Sequence, residues 1–380
     1  MNTRAERLAA GRLKWLVPRF GHLVLDAPLF GLALLVVGFG LIVLFSALGG
    51  SIDRWDGHAI RAGFAVLVML AVAHLHPQAV FRLTPFVYVG GVLLLVATMT
   101  FGQEANNSRS WLGIPGLFRF QPSEMAKIAV VLCVAWYLSF RPYPMKMFDL
   151  LVVACIVALP CTLVFMQPDL GTAMMIVAPS CAMLVVAGFR IWWMVAGGLA
   201  VLASSPFLWM NLLPHQRSRL LTFFDPYQDP LGHGYNIIQS WIALGSGGLT
   251  GKGLMKGTQS RLDFLPEHHT DFILAVIGEE LGVVITAALL MALFAVFARC
   301  LTIATRTTDT FARLAITGIA MVFFCNVVVN VGMVLGLVPV VGVPLPLISY
   351  GGSSLITMLA GFGLIMALQK ERKRWSGREG

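Results

Sequence analysis

Ten long apolar runs dominate this chain and decide what it can fold into. A helix needs about 20 apolar residues to cross the hydrocarbon core of a bilayer. Segments that reach or nearly reach that length lie at 28–48, 59–76, 83–101, 123–140, 147–166, 170–188, 191–212, 271–298, 312–336 and 350–369. Inside lipid every backbone N–H and C=O must find a partner within the protein, so only helices or a closed barrel can span. Runs this long suit helices. Composition agrees: 58% of the 380 residues are hydrophobic and 12% charged, where soluble domains carry about 25% charged residues. The expectation is an all-α integral membrane protein with ten transmembrane helices. Pro168, in Gln167-Pro168-Asp169, favours a tight reversal between the fifth and sixth runs over one kinked helix.

Charge placement orients the bundle. Lys and Arg number 27 against 18 Asp and Glu, a net +9. These cations lie between apolar runs and not along one face, which points to a membrane and away from nucleic acid. With the N-terminus inside, 17 of the 27 fall on the cytoplasmic side. Both tails, 1–27 and 370–380, are then cytoplasmic. Helices one to seven fill 28–212, a long periplasmic loop runs over 213–270, and helices eight to ten fill 271–369. The N-terminal stretch is basic but lacks a short apolar core with a small-residue cleavage site, so it reads as a tail and not a removable signal. The six cysteines all lie in apolar runs without metal-ligand spacing and read as small core residues.

Polar residues concentrate beside four of the runs. From Pro214 to Glu280 stand Arg217, Arg219, Lys252, Lys256, Glu267, His268, His269 and Asp271, with nine glycines between Gly232 and Gly278. An ionisable residue at a membrane boundary is a functional candidate. If Asp271 opens a helix, Glu279 follows on nearly the same face about 12 Å deeper; Thr270 or Asp271 as a plain N-cap is the alternative. Glu124 and Lys127 are three apart in a span, on one face and able to pair, either as an interfacial anchor or as site residues. Among the cations Arg119, Arg217, Arg219, Lys252 and Lys256, Lys252 stands in a glycine-rich run whose amides suit a phosphate, although scattered cations are more often solvated. This is not a nucleotide P-loop, since Gly253 follows the lysine. Finally, Ser349 and Ser353 head the last run, as helix-packing small residues or as a polar strip against substrate. The Gly336–Ser349 stretch, with Pro339, Pro344 and Pro346, is tolerable at membrane depth only where buried or lining a cavity.

Together Trp111-Leu112, FRFQPSEMAKIA (118–129), QPDLGTA (167–173), the glycine-rich run at 223–254, TQSRLDFLPEHHTDFILAVIGEELG (258–282) and PVVGVPLPLISYGGSS (339–354) resemble the SEDS family of bacterial envelope proteins. The likeness is nearer its elongation-type branch than its division-type branch. It implies a ten-helix glycosyltransferase of the inner membrane that polymerises lipid II into peptidoglycan for rod shape, releasing undecaprenyl diphosphate. It also implies a class B penicillin-binding transpeptidase and elongation-complex membrane proteins as partners, within a setting of membrane lipids. The family's essential aspartate corresponds to Asp271, and its motif Arg, Glu and Lys to Arg119, Glu124 and Lys127. Trp111, Arg217, Lys252, Glu267, Thr270, Ser349 and Ser353 complete the candidate substrate-binding set.

An α-linked diphosphate donor giving a β-linkage needs one inverting displacement and one general base. Asp271 is the candidate base, with cations offsetting charge on the diphosphate. A divalent cation, Mg or Mn, near Asp271 and Glu124 is the alternative use of the carboxylates. A lipid II flippase is the rival function, lined by Glu124, Lys127, Glu279 and Glu280. A non-catalytic scaffold for the transpeptidase is a third.

Overall fold

The computed structural model describes residues 25–369 apart from 106–107, 115–117, 143–144, 212–216, 218–220, 229–233, 263 and 266; for a few others, Arg119 among them, the backbone alone is described. The predicted tails, apart from residues 25–27, and part of the 213–270 stretch therefore lie outside the described residues. The helices are α1 (Ala27–Ala47), α2 (Ile52–Ala73), α3 (Pro77–Phe101), α4 (Pro122–Ser139), α5 (Met147–Met166), α6 (Leu170–Val186), α7 (Ile191–Ala203), α8 (Ser205–Asn211), α9 (Tyr235–Gly247), α10 (Thr258–Arg261), α11 (Ile273–Arg306), α12 (Thr310–Val334) and α13 (Gly352–Leu368). Among the described residues seven of these are long and apolar enough to cross a membrane: α1 to α5, α11 and α12; α6 and α13 are shorter apolar helices.

Several boundaries differ from the sequence reading. α2 and α3 begin before their apolar runs, because Ser51 and His76 mark starts that hydropathy cannot see; Pro77 fits the first helical turn, where its missing N–H is not needed. The seventh run divides at Ser204 into α7 and α8. The Gly102–Gln121 stretch, between the third and fourth apolar runs, forms an antiparallel sheet of β1 (Gln103–Ala105), β2 (Ser108–Ile114) and β3 (Phe118–Phe120), so the chain is not purely α. Its register sets Gln103 opposite Trp111 and Leu112 opposite Phe120. The 213–270 stretch is not all loop, since α9 and α10 lie within it. Cysteines were expected in the core; Cys133 and Cys300 are buried there, but Cys155 is exposed.

α4 lies at the centre. In its most apolar window 78% of residues are buried, against 22% for α3, whose faces are left for lipid. Close approach comes from small residues. A Cβ on Gly318 of α12 would strike Val131 of α4 and Met183 of α6, and one on Gly363 of α13 would strike the Met69 carbonyl of α2.

α11 has 34 residues but is broken at Gly282, where φ is +77° and ψ 178°. Two backbone stretches stitch the break. The N–H groups of Lys252 and Gly253 donate to the carbonyls of Glu279 and Glu280 at 3.0 and 2.8 Å, and Val283 and Val284 donate to Gly248 and Leu249 at 3.0 and 3.2 Å. A helix break inside apolar surroundings requires such partners. The stitch requires glycine: a Cβ on Gly251 would overlap the Glu280 carbonyl, and one on Gly247 would overlap that of Gly278. The glycine-rich run is thus committed to carrying the backbone of α11.

The proline-rich segment 336–349 enters the bundle, as its composition required. Val343, Leu345, Leu347 and Ile348 are buried. Its carbonyls are reached by side chains, Asn330 Nδ2 donating to Val343 at 2.7 Å. At the other end of the bundle Arg299 grips Asp26 through two bonds of 2.9 and 2.7 Å, and Gln369 adds a third of 3.2 Å. Burial raises the Asp26 pKa, but these bonds and the N–H of Leu29 outweigh it and hold the carboxyl below its ordinary range.

Candidate active site

One cavity of about 1020 Å³ opens where α2, α13, β2 and the turn before α11 meet. Its polar wall is Arg61, His269, Thr270, Tyr350 and Ser353; Trp111, Phe120, Met125 and Ile356 give it an apolar side. Of the residues singled out from sequence, Trp111, Thr270 and Ser353 line it. Ser353 Oγ accepts from the Gln121 N–H at 3.0 Å, fastening α13 to the start of α4.

The turn 267–272 carries Asp271, the carboxylate singled out from sequence. Glu267 takes φ +56°, and its carbonyl accepts from Thr270 and Phe272 at 3.1 and 3.2 Å. Thr270 Oγ1 also donates to Glu267 Oε2 at 2.6 Å. Tyr350 N–H donates to the His269 carbonyl at 2.9 Å, docking the turn on the head of α13. Asn330 Nδ2 donates to the Asp271 carbonyl at 2.8 Å. The helix begins at Ile273, so Asp271 precedes it and does not open it. The half-buried Asp271 directs Oδ2 toward Gly342, where an added Cβ would stand 3.5 Å away. At His269 burial lowers the imidazole pKa, with the nearby His268 and Arg54 acting the same way and Glu267 opposing.

Glu124 and Lys127 pair as their spacing predicted, at 2.7 Å and nearly buried. Lys127 Nζ also reaches Asn326 Oδ1 at 3.4 Å, while Glu124 Oε2 has no hydrogen-bond partner among the described residues. Asp169 lies near this pair and caps α6 through the Thr172 N–H at 2.9 Å and Oγ1 at 2.7 Å. Burial raises its carboxyl above the ordinary range despite those bonds.

The remaining candidates fall elsewhere. Lys252 Nζ binds Glu279 Oε1 at 2.6 Å and Thr258 Oγ1 at 3.0 Å, and it does not line the cavity. The backbone N–H groups of Thr258 and Gln259 complete the shell of Glu279. Glu280 accepts from Ser46 Oγ instead. Arg217 donates to the Met210 carbonyl at 2.7 Å and lies over the Trp209 ring. Ser349 is buried, its Oγ accepting from the Leu345 N–H at 2.8 Å. The backbone of Arg119 pairs with Gly113 in the sheet, and its side chain lies outside the described residues.

Sequence reading passed over Arg61. A cation inside an apolar run was the available signal. Tyr350 and Asp169 stand inside the family-like motifs, where residue type alone assigns neither a role.

A bundle of apolar helices around a part-polar cavity defines a multi-pass membrane protein. The chain belongs to the FTSW, RODA and SPOVE family of cell cycle proteins, whose model matches residues 26–374. It is 41% identical over 355 residues to the peptidoglycan glycosyltransferase MrdB of Escherichia coli (strain K12), covering 93% of this chain and 95% of that one. It is 33% identical to a probable peptidoglycan glycosyltransferase FtsW of Idiomarina loihiensis, over 95% and 91% of the two chains. Among solved structures, a chain from work on "structural coordination of polymerization and crosslinking by a peptidoglycan synthase complex" superposes with TM-score 0.80 at 32% identity, covering 92% and 99%. The Thermus thermophilus rod shape determining protein RodA superposes with TM-score 0.71 at 29% identity, covering 92% and 98%.

Proposed function

We propose that the chain is a peptidoglycan glycosyltransferase of the elongation type, polymerising lipid II at this cavity. The observation that carries the reading is the turn 267–272, which walls the cavity with His269 and Thr270 and sets Asp271 immediately beyond them. Asp271 is the general base. The acceptor hydroxyl oxygen attacks C1 of the donor sugar as Asp271 takes the hydroxyl proton. The bond from C1 to the diphosphate oxygen breaks, the electron pair leaves with undecaprenyl diphosphate, and the anomeric centre inverts. General-base help is worth about 10²–10⁴-fold.

Arg119, Glu124 and Lys127 belong to the reading through their motif. Lys252 and Arg217 support the scaffold, given the partners they hold. Among the described residues no three His, Cys, Asp or Glu side chains converge as a metal site. A Mg or Mn ion would draw its oxygens from Asp271, Glu124 and the substrate diphosphate. The ten-span count is completed by α6, by α7 with α8, and by α13. The 213–270 stretch is assigned to the periplasmic side and both tails to the cytoplasm. A class B penicillin-binding transpeptidase is the proposed partner.

Purified protein given labelled lipid II, alone and with that transpeptidase, tests the reading. Glycan polymer is expected. Transfer of lipid II between leaflets with no polymer would favour the flippase.

A further inference from the structure

Arg61 stands in the tenth position of α2, inside a helix apolar enough to span. None of the ion pairs among the described residues includes it. A cation at such depth is costly without an anion. Its guanidinium is nevertheless held in one orientation. Nε donates to the Gly57 carbonyl at 2.7 Å, Nη2 donates to Tyr350 Oη at 3.0 Å, and the group lies 5.1 Å from the Tyr350 ring centroid. Tyr350 is braced in turn by His58, stacked at 5.1 Å, and by His269, edge-on at 5.6 Å. Space for the side chain is provided by Gly352, where a Cβ would stand 2.8 Å from Arg61 Cδ.

A guanidinium has five N–H donors, so the two bonds above leave donors for a ligand at a cavity wall. The same cavity presents the apolar surface of Phe120, Met125 and Ile356. A fixed fork beside an apolar wall suits a phosphate or diphosphate carried on a hydrocarbon chain, since guanidinium geometry matches phosphate oxygens bidentately. We propose that Arg61, oriented by Tyr350 and Gly57, is the residue that binds the diphosphate of the lipid-linked substrate. This deepens the glycosyltransferase reading and rests on it for the identity of the lipid. Arg61 acts in binding, so its loss falls on affinity more than on turnover.

The experiment uses the full chain in detergent or nanodiscs. A charge-assisted hydrogen bond contributes enough that Arg61→Gln should raise KM for lipid II by about 10- to 100-fold, with kcat changed by much less. Arg61→Lys should fall between, keeping the charge without the fork. Tyr350→Phe, which removes only the hydroxyl on Nη2, should raise KM by about threefold, and it serves if Arg61→Gln fails to fold. Equilibrium binding of labelled undecaprenyl diphosphate, measured without turnover, should weaken in the same order. This arm separates the two ideas. Arg61-dependent binding with no polymer from the wild type would sink the glycosyltransferase and leave the diphosphate site. Polymerisation with unchanged KM and binding in all three variants would sink the site and leave the enzyme. Displacement by phosphatidylglycerol as effective as by undecaprenyl diphosphate would overturn the assignment in favour of an ordinary headgroup site.

Discussion

Asp271 and Glu279 are eight residues apart at the same helix entry, and the structure treats them oppositely. Glu279 is fully buried and closed, its Oε1 shared by Lys252 Nζ, Thr258 Oγ1 and two backbone N–H groups. Asp271 is half-buried in a turn beside a cavity, with its carboxylate against a glycine. A carboxylate with its lone pairs already committed to fixed donors holds structure together. One only half-buried, next in the chain to two cavity-lining residues, is placed to reach a ligand. Residue type and spacing do not separate these cases; burial and the neighbouring elements do.

The contrast can be broken most directly at Asp271. Asp271→Asn should cut polymerisation by about 10³-fold while leaving lipid II binding and thermal stability near wild type, as read by product gels and melting curves. Glu279→Ala should do the reverse. It strands Lys252 beside unpaired donors and should cost about 3 kcal/mol of stability, seen as a lower Tm, with near-normal turnover per folded molecule. A loss of turnover matching that of Asp271→Asn would erase the distinction. Gly342→Ala places a side chain at φ +71°, close to Asp271 Oδ2. Left-handed backbone costs about 1–2 kcal/mol outside glycine, and a displaced carboxylate should lower kcat about tenfold, as steady-state assays would resolve. The smallest effect concerns pH. The folded-state pKa of His269 lies below its unfolded value of 6.5, so the unfolded chain binds the extra proton first. The neutral ring is accommodated fully above pH 6.5, and stability falls as pH drops below it. Tm measured from pH 7.5 to 5 should decline less steeply in His269→Gln.

Much of this was legible in the sequence where a physical rule is local. The Glu124–Lys127 pairing follows from helical spacing, and the burial of 336–349 follows from the cost of open backbone in lipid. Trp111, Thr270 and Ser353 were placed in the candidate set by motif, and all three line the cavity. The pairing of Lys252 with Glu279 was not legible, because a glycine-rich run suits a phosphate and a broken helix equally well, and only the fold reveals that Glu279 and Gly282 lie opposite. Arg61 was passed over because its partners, Gly57 and Tyr350, are split between a local carbonyl and a residue 289 positions away. The sheet escaped notice because its strands are short and surrounded by stronger helical signals.

The Asp26–Arg299–Gln369 knot joins α1, α11 and α13 at the end of the bundle remote from the cavity. Near the cavity the same three helices meet glycine joints and turns. The foot is a single rivet: one carboxylate, shared by a guanidinium and an amide, fixes the spacing of three helix ends at once.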